Sequence, residues 1–183
     1  MKCFAHALIE AAQADVGSSD SYGLPGLYCS LAVQTWLRRA ATNTDGKPPI
    51  QGSASAKATR DQLIAAHVWI PVDELRADTS RIVPGMIAIW HRGAPGAVTG
   101  HIGIVEKPLV GQTFGTIEAN ASPTVSRFQR RLDSDMLLGM GGFVCGAPPD
   151  SIEPLRAPRP LGVLVIATLA SVAVGVATYR AFR

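Results

Sequence analysis

Cysteine is scarce in this chain. Its 183 residues hold three, Cys3, Cys29 and Cys145, and an odd, scattered set does not build a disulfide framework. No C-x-x-C pair occurs, which argues against a thiolate zinc site. No spacing recommends a Cys29–Cys145 or a Cys3–Cys145 bridge, and Cys3 and Cys145 read as small buried hydrophobes. Charge is thin as well, at 17% of residues with a net +3. No run of Lys and Arg with interleaved aromatics appears, so nucleic acid is not an expected partner. The mild positive surplus suits an anionic surface such as a cell wall or a membrane. With no D-x-D-x-D-G loop, no metal is expected, and no cofactor either. A secretory signal is not expected either, because the apolar stretch after Lys2 is short and Glu10 interrupts it. Phe4, Leu8 and Ala12 fall instead at i, i+4 and i+8 of an amphipathic helix.

What is present begins with 47% hydrophobic residues, a composition that excludes disorder of the whole chain. Part of that content is concentrated in residues 161–179, LGVLVIATLASVAVGVATY, without a single charge. At 1.5 Å per residue such a helix spans roughly 28 Å, close to the ~30 Å hydrocarbon core of a bilayer. We therefore expect a C-terminal transmembrane helix at 161–179 and a short basic tail at 180–183. Arg156 and Arg159 precede it and Arg180 and Arg183 follow it, which leaves its direction open under the positive-inside rule. Residues 147–160 carry Pro148, Pro149, Pro154, Pro158 and Pro160, the composition of a semi-rigid extended linker. Residues 1–146 form the head.

Within the head, Cys29, Ala32, Val33, Trp36, Leu37 and Ala40 make one apolar stripe at helical spacing. Gly23, Pro25 and Gly26 punctuate the approach, so the helix starts close to Cys29, with Arg38 and Arg39 in its last turn. A shorter helix is expected near 56–66. Strand-like runs follow at 86–90 (MIAIW), 101–106 (HIGIVE) and 114–118 (FGTIE), separated by glycine and proline. Helices first and an antiparallel sheet afterwards make the head an α+β domain.

Cys29 at a helix start sits where unpaired N–H groups and the helix dipole favour a thiolate. Taken alone it reads equally well as a small core residue. His101 heads an alternating strand, with Gly100 and Gly103 leaving its ring uncrowded. Of the other histidines, His91 sits beside Arg92 in what reads as a loop, and His6 and His67 fall in helical stretches. A histidine base works better when a third group orients it. Glu118 and Asn120, two residues apart at the end of the next strand, are the candidates, and Glu118 is preferred. Each alone also reads as a solvent-facing carboxylate or a turn-forming asparagine.

Taken together, GLYCSLAVQTWL, VPGMIAIW, TGHIGIVEK and GTIEANASPTVSRFQRRL resemble the ordered motifs of the CHAP and NlpC-type cysteine peptidoglycan hydrolases. The resemblance covers about 26–142. It implies a papain-like fold with Cys29 as nucleophile and His101 as base, and with Glu118 or Asn120 as the orienting group. Tyr28 and Trp90 become candidate substrate-binding residues. Two departures stand out. Pro84-Gly85-Met86 replaces the family's P-G-D turn. Glu118-Ala119-Asn120 replaces its E-G-N element, which asks Ala119 for a backbone geometry that glycine often fills. The implied function is hydrolysis of a peptidoglycan amide, either the N-acetylmuramoyl–L-alanine bond or one within the stem or cross-bridge peptides.

The expected partners are peptidoglycan, a membrane through the C-terminal helix, and other phage virion or lysis proteins. The expected location is the bacterial inner membrane facing the periplasm, or a phage virion. Two other readings compete. One is a membrane-attached assembly protein with a silent hydrolase fold. The other is a cysteine transferase or protease acting on proteins.

Overall fold

The computed structural model describes residues 3–19, 28–44, 47–143 and 145. The proline-rich linker 147–160, the membrane helix 161–179, the tail 180–183 and the approach residues Gly23, Pro25 and Gly26 lie outside the described residues. Among the described residues, no helix is long and apolar enough to cross a membrane.

Helix α1 (Phe4–Gln13) turns Ala7, Leu8, Ala11 and Ala12 inward. Helix α2 (Cys29–Asn43) buries the whole stripe from Cys29 to Ala40. It runs one turn further than its apolar pattern suggests, so Arg38 and Arg39 do not lie in its last turn. Arg39 instead pairs with Asp15 at 2.7 Å, and the same carboxylate accepts the indole N–H of the fully buried Trp36 at 2.9 Å. A buried indole needs such an acceptor, and the pair ties the end of α1 to α2. Helix α3 (Ala56–Ala65) starts on Ser55, whose side chain accepts from Ala58. It ends before His67, which takes a φ of 57° and lies past the helix rather than in it.

Six strands form one antiparallel sheet in the order β1-β6-β2-β3-β4-β5. They are β1 (Trp69–Pro71), β2 (Ile87–His91), β3 (Gly100–Val110), β4 (Thr113–Glu118), β5 (Ser126–Arg131) and β6 (Leu137–Gly141). A short helix α4 (Val72–Ala77) follows β1. His91 closes β2 rather than lying in a loop. The sheet is covered on both sides. Ile87, Ile89, Ile102, Ile104 and Ile117 face the helices, packing with Leu8, Trp36, Leu37 and Leu63. Ala88, Trp90, Val105, Phe114 and Met140 face the other way, packing with Leu75, Ile82 and Leu132. Each fully buried aliphatic side chain contributes roughly 1.5–3 kcal/mol. Burial on both faces explains why β2 reads as the unbroken apolar run Ile87 to Trp90.

Cys3 and Cys145 correct the sequence reading: they form a disulfide, with Cα atoms 5.3 Å apart and 142 residues between them in sequence. Neither is a buried hydrophobe, since Cys3 is half-buried and Cys145 exposed. The edge-on contact of Phe4 with Phe143, 5.4 Å between ring centres, brings the two ends of the head together. That convergence is a tertiary fact with no trace in cysteine spacing. A loop this long restricts the unfolded chain strongly, and loop-closure entropy gives about 5 kcal/mol, with typical measured values of 2–4. The Cys3→Ala/Cys145→Ala variant is expected to unfold at lower urea than the wild type, by about 2–5 kcal/mol. Both proteins should coincide once unfolding is followed in strong reductant.

Candidate active site

Cys29 is the first residue of α2, and the N-cap residue Tyr28 makes no side-chain capping hydrogen bond. Its thiol therefore lies at the positive end of the dipole, beside backbone N–H groups without intrahelical acceptors. It is 3% exposed and is the free cysteine among the described residues. Ser30 follows it, with Oγ 3.9 Å from the sulfur.

His101 is the second residue of β3, where it faces Trp90 of β2 in register. Two residues on, Gly103 lies opposite Glu118, the last residue of β4. Glu118 is thus the diagonal neighbour of His101 on one face of the sheet, a spacing a long side chain spans. Its Oε2 accepts from His101 Nε2 at 2.6 Å. Gly103 has a steric reason here: a Cβ on it would stand 2.5 Å from Glu118 Cγ and displace the carboxylate.

Glu118 is fully buried and its oxygens take four hydrogen bonds. Besides His101, Thr116 Oγ donates to Oε1 at 2.5 Å and Arg130 Nε donates to Oε1 at 2.7 Å. Arg130 Nη2 completes a bidentate pair on Oε2. Burial alone would raise this carboxyl. The Arg130 and His101 bonds and charges overcome that and hold it at about 2. Glu118 is therefore an acceptor at neutral pH, so the His101 Nε2–H donates to it. Nδ1 is the ring nitrogen left for the thiol. Arg130 is itself held over the rings of Trp90 and Phe128, at 5.6 and 4.8 Å.

The sulfur and the imidazole shift one another. Burial opposes a thiolate at Cys29, but the hydrogen bond and charge of His101, the Ser30 hydroxyl and the charge of Arg92 hold the thiol below its ordinary value. Burial likewise opposes a cationic His101, yet hydrogen bonds to Cys29 and Glu118 and their charges raise it. Both shifts act in the direction of the thiolate–imidazolium form of the pair. The rate of Cys29 alkylation by iodoacetamide should accordingly persist below pH ~8.5, where a free thiol titrates. In His101→Ala the profile should move up toward that value. A wild-type profile centred on the free-thiol range would show that the pair is not ionised.

Asn120 stands past the end of β4 with a φ of 59°, and its carbonyl accepts from Arg92 Nη2 at 3.0 Å. The glycine-like backbone geometry asked of Ala119 is not needed there: the left-handed residue is Asn120, a type that tolerates it, while Ala119 is simply buried. The group on His101 Nε2 is Glu118. Tyr28 precedes α2 and packs against the helix-side core. Trp90 is 5% exposed, with its ring 5.8 Å from that of His101. It lines an open groove of about 370 Å³ with His91, His101, Arg130, Ser134 and Met136. Cys29 does not line this groove.

The sequence reading assigned nothing to Arg130, Thr116, Ser30 or Arg92. One signal for the first was available: a buried carboxylate requires a cation, and Phe128 and Arg130 alternate with Arg127, Gln129 and Arg131 along β5. Among the described residues, no group of three or more His, Cys, Asp or Glu is placed to hold a metal. No family model matches the chain, and no curated protein or solved structure matches it either.

Proposed function

We propose that the chain is a cysteine amide hydrolase of peptidoglycan, with the papain-like arrangement that its CHAP and NlpC-like motifs imply. The observation that carries the reading is the line from a helix-start thiol through His101 to a buried, ionised Glu118. Cys29 thiolate attacks the amide carbonyl carbon and forms a C–S bond, while the carbonyl electrons move to oxygen. The backbone N–H of Cys29 stabilises that oxyanion. His101 gives its Nδ1 proton to the nitrogen as the C–N bond breaks, and an amine leaves. Water then gives a proton to Nδ1 and attacks the thioester, and Cys29 departs as thiolate. Glu118 fixes the ring and balances its charge throughout, and Arg130 fixes Glu118.

The substrate follows from the motif resemblance and from the net positive charge. The Cys3–Cys145 disulfide supports a working place outside a reducing cytosol. That fits an enzyme held at the periplasmic face of the inner membrane by 161–179, or one carried in a phage virion, acting as the phage penetrates or lyses the cell. The 3% exposure of Cys29 favours a second reading, a membrane-attached assembly protein whose hydrolase fold is silent.

Digestion of purified sacculi of several wall chemotypes separates the two. Full-length wild type is compared with Cys29→Ala, and the released fragments are identified by mass. Fragments from the wild type alone support the hydrolase and name the bond. Equal silence on every wall, with both proteins folded, overturns it.

A further inference from the structure

Arg92 follows β2 directly, and its backbone is pinned on both sides. Its N–H donates to the Thr99 carbonyl at 3.1 Å, and its carbonyl accepts from Thr99 Oγ at 3.0 Å. Its neighbour His91 pairs with Gly100, which precedes His101. Its Nη2 holds the carbonyl of Asn120, two residues past Glu118. The guanidinium therefore stands at the end of the sheet where β3 and β4 deliver His101 and Glu118, and its charge reaches the Cys29 sulfur.

Among the described residues, Arg92 has no anionic partner. Every other described arginine except the exposed Arg38 pairs with a carboxylate. Among the described residues, Arg92 Nη2 meets only the neutral Asn120 carbonyl. Its Nη1 is buried, and it is the buried side-chain nitrogen or oxygen left with no hydrogen-bond partner among the described residues. An unmet, buried, cationic donor is the costliest kind to leave in a folded protein. A carboxylate is the group that a guanidinium matches best.

We propose that Arg92 determines specificity by binding, through Nη1, a free carboxylate of the substrate beside the amide that Cys29 attacks. This rests on the hydrolase reading and narrows it. The lactyl–L-alanine amide of the glycan junction is not flanked by a carboxylate on its acyl side, whereas stem peptides carry free carboxylates next to their amides. Stem peptides are thus the substrate class. A permanent cation also suits a permanent anion better than it suits an oxyanion that exists only during reaction.

The test is binding, read by calorimetry on full-length Cys29→Ala protein so that turnover does not enter. The probes are the tetrapeptide L-Ala-γ-D-Glu-L-Lys-D-Ala and its two forms with one carboxylate amidated in turn. One amidation is expected to weaken binding by about tenfold or more. Arg92→Gln should erase that preference, and Arg92→Lys, which keeps the charge, should retain part of it. No binding of any probe, no preference among them, or an equal loss on all three in Arg92→Gln would overturn the proposal. The hydrolase reading fails separately: a carboxylate preference in this assay, with no cleavage by the Cys29-containing protein, leaves the Arg92 site standing and removes the chemistry.

Discussion

Sacculus digestion is expected to fall by about 10⁴-fold in Cys29→Ala and by a similar factor in His101→Ala, with the double variant no slower than either single one. The non-additivity follows from the geometry. His101 has one nitrogen committed to Glu118 at 2.6 Å, which leaves the other to serve the thiol and then the leaving nitrogen. Without the thiol no acyl-enzyme forms, and the ring has no proton to move. Without the ring, the thiol loses the hydrogen bond and charge that hold its pKa down, and the departing amine has no acid. Each variant removes the same two-step path, so the second removal has nothing left to act on. Residual turnover in either single variant would come from binding and from the N–H groups at the start of α2. Losses that multiply in the double variant would mean that the residues act in separate steps. Cys29→Ser should resemble Cys29→Ala, because a hydroxyl in that place stays un-ionised beside the same histidine.

Parts of this site were legible in the sequence because they obey local rules. The stripe from Cys29 to Ala40 has helical period and is buried without exception. The MIAIW, HIGIVE and FGTIE runs became β2, β3 and β4 because Ile, Val and Phe pack on both faces of a covered sheet. The chain also brings His101 and Glu118 together, as the pairing of neighbouring strands suggested, and sets Cys29 where it and His101 shift one another, a relation that only the motif resemblance implied. The missed elements break those rules. Strand β1 has three residues, and β6 is LLGMG, with glycines at 139 and 141 that make room for Ile70, Trp69 and Leu63. Strand β5 is SRFQRR, a polar run that reads as loop until Arg130 is given a buried carboxylate to meet. The Cys3–Cys145 bridge depends on where α1 and the end of β6 pack. None of those partners is adjacent in sequence, so pattern alone carries no record of them.

Glu118→Ala is expected to lower kcat/KM by about 10²-fold, with most of the loss in kcat. It should also destabilise the fold, because Arg130 would face a buried hollow in place of its carboxylate. Glu118→Gln separates the two effects. The amide oxygen can still accept the His101 Nε2–H, so the ring keeps its place, but a neutral group no longer offsets the imidazolium or Arg130. The raised pKa of His101 should then fall, and the alkylation profile of Cys29 should shift upward with it. The stability effect has a definite pH signature. The Glu118 carboxyl lies at about 2 in the folded protein against an ordinary value of 4.5. Folding therefore gains from its ionisation at every pH above that ordinary value, and the gain is lost as pH falls from there through about 2. At 1.36 kcal/mol per unit the gain is on the order of 3 kcal/mol. Urea unfolding of wild type and Glu118→Gln should differ by that order at neutral pH, and the two should converge as the solution is acidified toward pH 2. A difference that stays constant with pH would mean that shape, and not the buried charge, is what Glu118 supplies.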